Sequence, residues 1–352
     1  MLIRHLFLLS ALFFSLQLQA QGEPGFRQVT LSKLNISVWY PTASQGATES
    51  VGENPAFYGV SVIRDAPPLA GEHPLLVISH GYNGNWRNLS WIAAAMAAQG
   101  YIVAAVDHPG TTTFNQDVVA AKELWRRPQD LSQVIDVVIN AAKLFGKTDP
   151  QRIAGLGHSL GGWTIMSLAG ARFEPTQVIQ DCQHYPERGD CKLIAKLGID
   201  NPLLQAKLAA NYRDPRVKAV VSVDLGFAPG FTPQSLNDIQ LPVLILAAQM
   251  DKLAALSAEQ ESGYLAANLP QAWRQYHIVE GATHFSFMQR CKPGAEALIN
   301  EASPSDDIVC QDAPGAKRSD IHQKLVETIS LFLNASLDYH PPVDEIKSEN
   351  RQ

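Results

Sequence analysis

The chain has 352 residues, 46% of them hydrophobic and 18% charged, with a net charge of −6. That balance suits an ordinary globular core, and the lack of a basic block argues against a nucleic-acid partner. One large α/β domain can hold a chain of this length.

Taken in order, the first element is MLIRHLFLLSALFFSLQLQA, residues 1–20. A short basic start, an apolar run and Leu18-Gln19-Ala20 read as a secretory leader with its cleavage site. The run is too short to span a bilayer, and no later stretch is long enough. The mature domain is expected over residues 21–340, secreted or periplasmic, without a transmembrane segment. Residues 26–40 alternate apolar and polar and predict an opening hairpin. Residues 41–69, rich in Gly, Pro, Ser and Glu, read as loop. Six apolar strands are then predicted at 74–81, 101–108, 152–159, 217–224, 242–251 and 274–281. Helical spacing appears at 88–99, 131–144, 162–171, 257–268 and 324–333. Strands apolar throughout and alternating with helices predict a doubly wound, mostly parallel α/β sheet. Residues 172–213 interrupt the alternation as an insertion and are expected to cover the edge of the sheet. The polar tail 341–352 is expected to be disordered. No signal for an oligomer is visible.

Four cysteines in an exported chain point to disulfides, and short local loops favour Cys182–Cys191 and Cys291–Cys310. Zinc would want closer pairs with histidines at ligand spacing, so no metal is expected.

Gly157-His158-Ser159-Leu160-Gly161 fits G-x-S-x-G between a predicted strand and a predicted helix. A sharp strand-to-helix turn raises the serine hydroxyl above the sheet, and the glycines leave room for the turn. Ser159 is therefore the candidate nucleophile. It needs a base, expected later in the chain. His158 is adjacent but expected to face away; His184, His277, His322 and His340 fall in the insertion, a strand, or in and beyond the closing helix. His284, in the loop after the last strand, is the candidate base. The acid that orients it is either Asp224 or Asp251, both at strand ends. Asp224 is preferred because its setting reads as more buried. Oxyanion donors are expected from the N–H groups of Leu160, next to the nucleophile, and Tyr82, in the SHGYNGNW loop. Trp86, Trp163, Phe227, Phe285 and Phe287 are candidate substrate contacts. Their apolar character suits a short-chain or lipid-like ester, and no cofactor is expected.

With these residues placed, the sequence resembles the α/β-hydrolase superfamily. Within it, the chain is similar to bacterial relatives of platelet-activating factor acetylhydrolase and to predicted dienelactone hydrolases. The likeness covers residues 38–332 and rests on VWYP, LLVISHG, AAQGYIVAAVDHPG, GLGHSLGG, the strand ending in Asp224, and GATHF. It implies a serine esterase with an acyl-enzyme intermediate. In the acetylhydrolase branch the acid follows the strand after the nucleophile helix, the place of Asp224. In cutinase-like polyesterases it follows the next strand, the place of Asp251. True dienelactone hydrolases use a cysteine where this chain has Ser159, and the cysteine-bearing insertion departs from the acetylhydrolase pattern. An amide, peptide or thioester hydrolase with the same groups, and a non-catalytic binding module, are the alternatives.

Overall fold

The computed structural model describes residues 22–31, 33–250 and 257–338; the leader, Asp251 and the tail 341–352 lie outside the described residues. Ten strands form one sheet: β1 Gly25–Leu31, β2 Leu34–Tyr40, β3 Glu49–Val51, β4 Val60–Arg64, β5 Glu72–Ser79, β6 Ile102–Asp107, β7 Lys147–His158, β8 Val217–Val223, β9 Val243–Met250 and β10 Arg274–Thr283. Their spatial order is β10-β9-β8-β7-β5-β6-β2-β1-β4-β3. The six strands from β10 to β6 run parallel to their neighbours, and the β1–β2 hairpin joins antiparallel through β2 to β6.

Both faces of the inner strands β5, β6, β8 and β9 are covered, which is why they are apolar almost throughout, whereas the edge strand β10, expected from its sequence to be apolar, keeps most of its residues exposed or half-exposed. Successive residues of β5 serve opposite layers. Leu75 and Val77 pack with Leu131, Val134 and Ile165 on one side. Leu76 and Ile78 pack with Ile92, Met96, Leu325 and Ile329 on the other. The helices Arg126–Asn140 and Leu160–Ala169 thus share one face, and Ser90–Ala98 and Arg318–Asp338 share the opposite one.

The structure departs from the sequence pattern in four places. Residues 41–69 are not all loop. β4 pairs with β1 over two residues and β3 pairs with β4, strands too short and too rich in neighbouring Gly and Pro to leave a period. The helix read at 131–144 begins earlier, at Arg126, because Pro128 falls in the first turn, where a missing N–H costs nothing. The helix read from residue 257 begins at Ser262, and the closing helix extends from Arg318 to Asp338.

Both disulfides form as the spacing predicts. Cys182–Cys191 and Cys291–Cys310 have Cα–Cα separations of 5.6 and 5.7 Å. Among the described residues no helix is long and apolar enough to cross a membrane.

Candidate active site

β7 ends at His158, and the next helix begins at Leu160, so Ser159 alone makes the turn. Its φ is 57° and ψ −124°, a strained conformation for a residue with a side chain. The surroundings hold it there. Its N–H donates to the Val223 carbonyl of β8 at 2.9 Å, and its own carbonyl accepts from Gly162 and Trp163. The flanking glycines are required by space. A Cβ on Gly157 would collide with the Gly161 carbonyl, and one on Gly161 with the Ser79 carbonyl of β5. The loop after β5 comes close enough that a Cβ on Gly81 would lie 3.0 Å from the Ser159 Cβ.

The Ser159 hydroxyl is 3.0 Å from His284 Nε2, and His284 Nδ1 is 2.6 Å from Asp224 Oδ2. A carboxylate on Nδ1 fixes the proton there and leaves Nε2 to accept from the serine. His284 and Asp224 are buried, whereas Ser159 keeps partial exposure. Asp224 is held on three sides. Its other oxygen accepts from Ala248 N–H at 2.7 Å, its own N–H donates to the Leu246 carbonyl at 2.7 Å, and its φ is 43°. Sequence pattern brings Ser159, His284 and Asp224 to one sheet edge, and the fold puts them in one hydrogen-bonded row. Asp251 falls outside the described residues.

His158 has its own contact with this row. Its Nε2–H donates to the His284 carbonyl at 2.9 Å, and the two rings lie 4.7 Å apart. Burial, with His284 alongside, pushes the His158 imidazole down to about 3. It therefore stays neutral and serves as a fixed donor.

Leu160 is the first residue of its helix, where an N–H has no carbonyl one turn back to bond to. Tyr82 is half-buried in the loop beside Ser159. Of the aromatic candidates, Phe285 is half-buried, with its ring edge-on to His284 at 5.1 Å. The other candidates, Trp86, Trp163, Phe227 and Phe287, are buried. Trp163 is fully buried in a cluster with Phe173 and Phe231. Phe227 is core, and Phe287 packs under the His158 ring. Trp86 packs on Phe26 and Trp39 and edges a polar cavity of about 540 Å³ whose lining excludes Ser159, His284 and Asp224.

Two groups of charge near the site escape a reading of the sequence. Arg127, 2% exposed, sits in the apolar stripe of its helix with Leu131, Val134 and Val138. A cation at stripe spacing was the available signal. Burial lowers its guanidinium to about 9 and raises Asp130 to about 7, each softened by the other. Arg188, equally buried, pairs with Asp181, Asp190 and Glu261, and nothing in the local sequence marks it. Burial drives Glu261 well above the usual carboxylate range, reinforced by Asp190 and opposed by Arg188. Among the described residues, the one cluster close enough to hold a metal is Cys182, Asp190 and Cys191, and its two sulfurs are already bonded to each other.

Comparison with known proteins adds the wider setting. Residues 87–176 match the prolyl oligopeptidase family. Cutinase est1 of Thermobifida alba is 24% identical over 214 residues, covering 60% of this chain and 53% of that protein. A bis(hydroxyethyl) terephthalate hydrolase of Streptomyces coelicolor is 22% identical over 231 residues, covering 65% and 56%. The chain thus spans about half the length of the curated relatives it matches. A ferulic acid esterase from Streptomyces cinnamoneus superposes with a TM-score of 0.59 at 18% identity, covering 90% of this chain and 86% of that one.

Proposed function

We propose, on the premise that the chain has the α/β-hydrolase fold, that it is a serine hydrolase of carboxylic esters. The observation that carries this reading is the row from Asp224 through His284 to Ser159, at 2.6 and 3.0 Å. Ser159 Oγ attacks the ester carbonyl while His284 Nε2 takes its proton. Asp224 holds the imidazole tautomer and stabilises the imidazolium. The Leu160 and Tyr82 N–H groups face the developing oxyanion. His284 then protonates the departing alcohol. Water, deprotonated by His284, attacks the acyl-enzyme and releases the acid. No metal or organic cofactor enters these steps.

In this reading residues 1–20 are a leader, residues 21–340 the catalytic domain, and the protein is secreted or periplasmic. Two disulfides fit an oxidising compartment. Residues 172–213 cover the edge of the site. Small ester molecules, short-chain or lipid-like, are the substrate class, in keeping with the ester-cleaving names of the relatives.

The match of residues 87–176 to the prolyl oligopeptidase family favours a second reading, an amide or peptide hydrolase with the same groups. Purified protein assayed on p-nitrophenyl acyl esters and on aminoacyl p-nitroanilides separates the two. Ester turnover that disappears in Ser159→Ala, with fluorophosphonate labelling of Ser159, is the expected result. Cleavage of anilides alone selects the second reading, and a folded protein whose Ser159 takes no label is a non-catalytic one.

A further inference from the structure

The two donors proposed for the oxyanion belong to different elements. Tyr82 lies in the loop after β5, and Leu160 begins the helix after β7. Their separation must be held to a fraction of an ångström for both to reach one oxygen. We propose that Arg127 is the positioning residue that sets this separation, by bridging the two donor-bearing segments from beneath. This inference rests on Ser159 being the nucleophile.

One side of the guanidinium holds the helix. Nε–H donates to Thr164 Oγ1 at 2.9 Å, and the Thr164 hydroxyl donates to the Leu160 carbonyl at 2.9 Å. The other side holds the loop. Nη2–H donates to the His80 carbonyl and to Ser79 Oγ at 3.2 Å, and Nη1–H to Thr111 Oγ1 at 2.6 Å. A guanidinium is planar and its N–H directions are fixed relative to one another, so these acceptors are fixed relative to one another too.

A second tier sets the angle of the loop. His108 donates its backbone N–H to His80 Nε2 at 3.0 Å, which puts the His80 proton on Nδ1. That N–H donates to the Gly81 carbonyl at 2.7 Å. The Gly81 carbonyl and the Tyr82 N–H share one planar trans peptide and point in opposite directions. Holding the carbonyl therefore aims the N–H. His108 is oriented in turn by Asp130 at its Nδ1, 2.9 Å away, and by the Ser79 hydroxyl at its Nε2, 3.0 Å away. Asp130 also supplies the counter-charge for Arg127. Arg127 and the His80 ring thus bond to the donor segments directly, Thr111 and His108 bond to those two groups in turn, and Asp130 bonds to His108.

The test compares wild type with R127M, R127K and T164V on a p-nitrophenyl ester, alongside inhibition by a trifluoromethyl ketone, whose serine adduct carries the oxyanion. In R127M, kcat is expected to fall about 10- to 100-fold with KM within about threefold. The inhibition constant should rise by the factor that kcat/KM falls, as for any loss specific to the transition state. R127K should not restore activity, because an ammonium is a point charge and cannot span both segments. A folded R127M with wild-type kcat, or with its loss carried by KM and ketone binding intact, overturns the proposal. Should R127M fail to fold, T164V decides: a fall in kcat of about 3- to 10-fold supports the bridge, and wild-type kcat overturns it. A wild-type protein without ester turnover overturns the hydrolase reading itself, a result distinct from an active wild type matched by its variants.

Discussion

The two disulfide-bearing segments grip two different loops of the site, and they do so with different chemistry. The first, around Cys182–Cys191, holds the loop after Asp224. Asp190 accepts from Phe227 N–H at 2.8 Å and Glu261 from Ala228 N–H at 2.7 Å, while Arg188 ties the two carboxylates together. Phe227 is thereby kept at a φ of 61°, in the left-handed region. The second, around Cys291–Cys310, holds the His284 loop. Thr283 Oγ1 donates to the Gln311 carbonyl at 2.8 Å, the Ser286 hydroxyl donates to Asp312 at 2.5 Å, and His322 Nε2–H donates to the Ser286 carbonyl at 2.9 Å. Arg318 completes it, paired with Asp312 and donating to the Gln289 and Val309 carbonyls. The lesson is that an equivalent covalent staple can support a buried charge cluster on one side and a largely neutral network on the other. Stability should respond accordingly.

The largest expected effect separates the two arginines. R188M leaves Asp190 buried without its cation and Glu261 buried without its hydrogen-bond partner, and is expected to cost about 3–5 kcal/mol. R318M leaves Asp312, which is partly exposed and can be hydrated, and should cost about 2 kcal/mol. Chemical denaturation of both variants checks this; equal losses would break the contrast.

Removing each staple comes next. C182A/C191A and C291A/C310A should each lose about 3 kcal/mol on chain-entropy grounds, their loop lengths entering only logarithmically. Ester turnover at a temperature where both remain folded then sharpens the comparison. The first double variant should lose turnover through the Asp224 loop, the second through the His284 loop, and unchanged turnover in either would remove that segment's functional role.

The effects of pH are smaller per unit, and their signs are opposite. Burial holds His322 at about 3, below the usual histidine value. The unfolded chain therefore binds its proton first, and the stability this group contributes is lost as pH falls from about 6.5 towards 3. The slope is at most about 1.4 kcal/mol per pH unit. His158 adds a second limb of the same sign. Glu261 is raised, so the folded chain binds its proton first, and its contribution is lost as pH rises above the ordinary carboxylate range. H322Q should flatten the acid side of a melting-temperature profile and E261Q the alkaline side. A profile unchanged in both would show that neither group titrates on unfolding.

The strand and helix alternation, the turn at Ser159 and the loop at His284 were legible because each is written within a dozen residues. Hydrophobic period identifies an element, and glycine spacing marks a turn that only glycine can flank. The cysteine pairings were legible for the same reason, since each closes a short loop. The preference for Asp224 followed from an apolar strand leading into an aromatic loop. Burial of Trp163, Phe227 and Phe287 was not legible, since an aromatic residue near a site in sequence carries no sign of which face it takes. Nor were the β3 and β4 pairings, or the roles of Arg127 and Arg188.

What the sequence determined by itself is the kind of fold and the candidates for the reacting side chains, because backbone conformation and period are local properties. What only the tertiary structure decided is who holds whom. Asp224 meets His284 across 60 positions and Ser159 meets it across 125. Arg127 reaches the β5 loop and the helix after β7 at once. Such partnerships arise when packed layers bring distant segments together and remove water from between them, and a buried polar group then has to bond to whatever the fold has placed beside it.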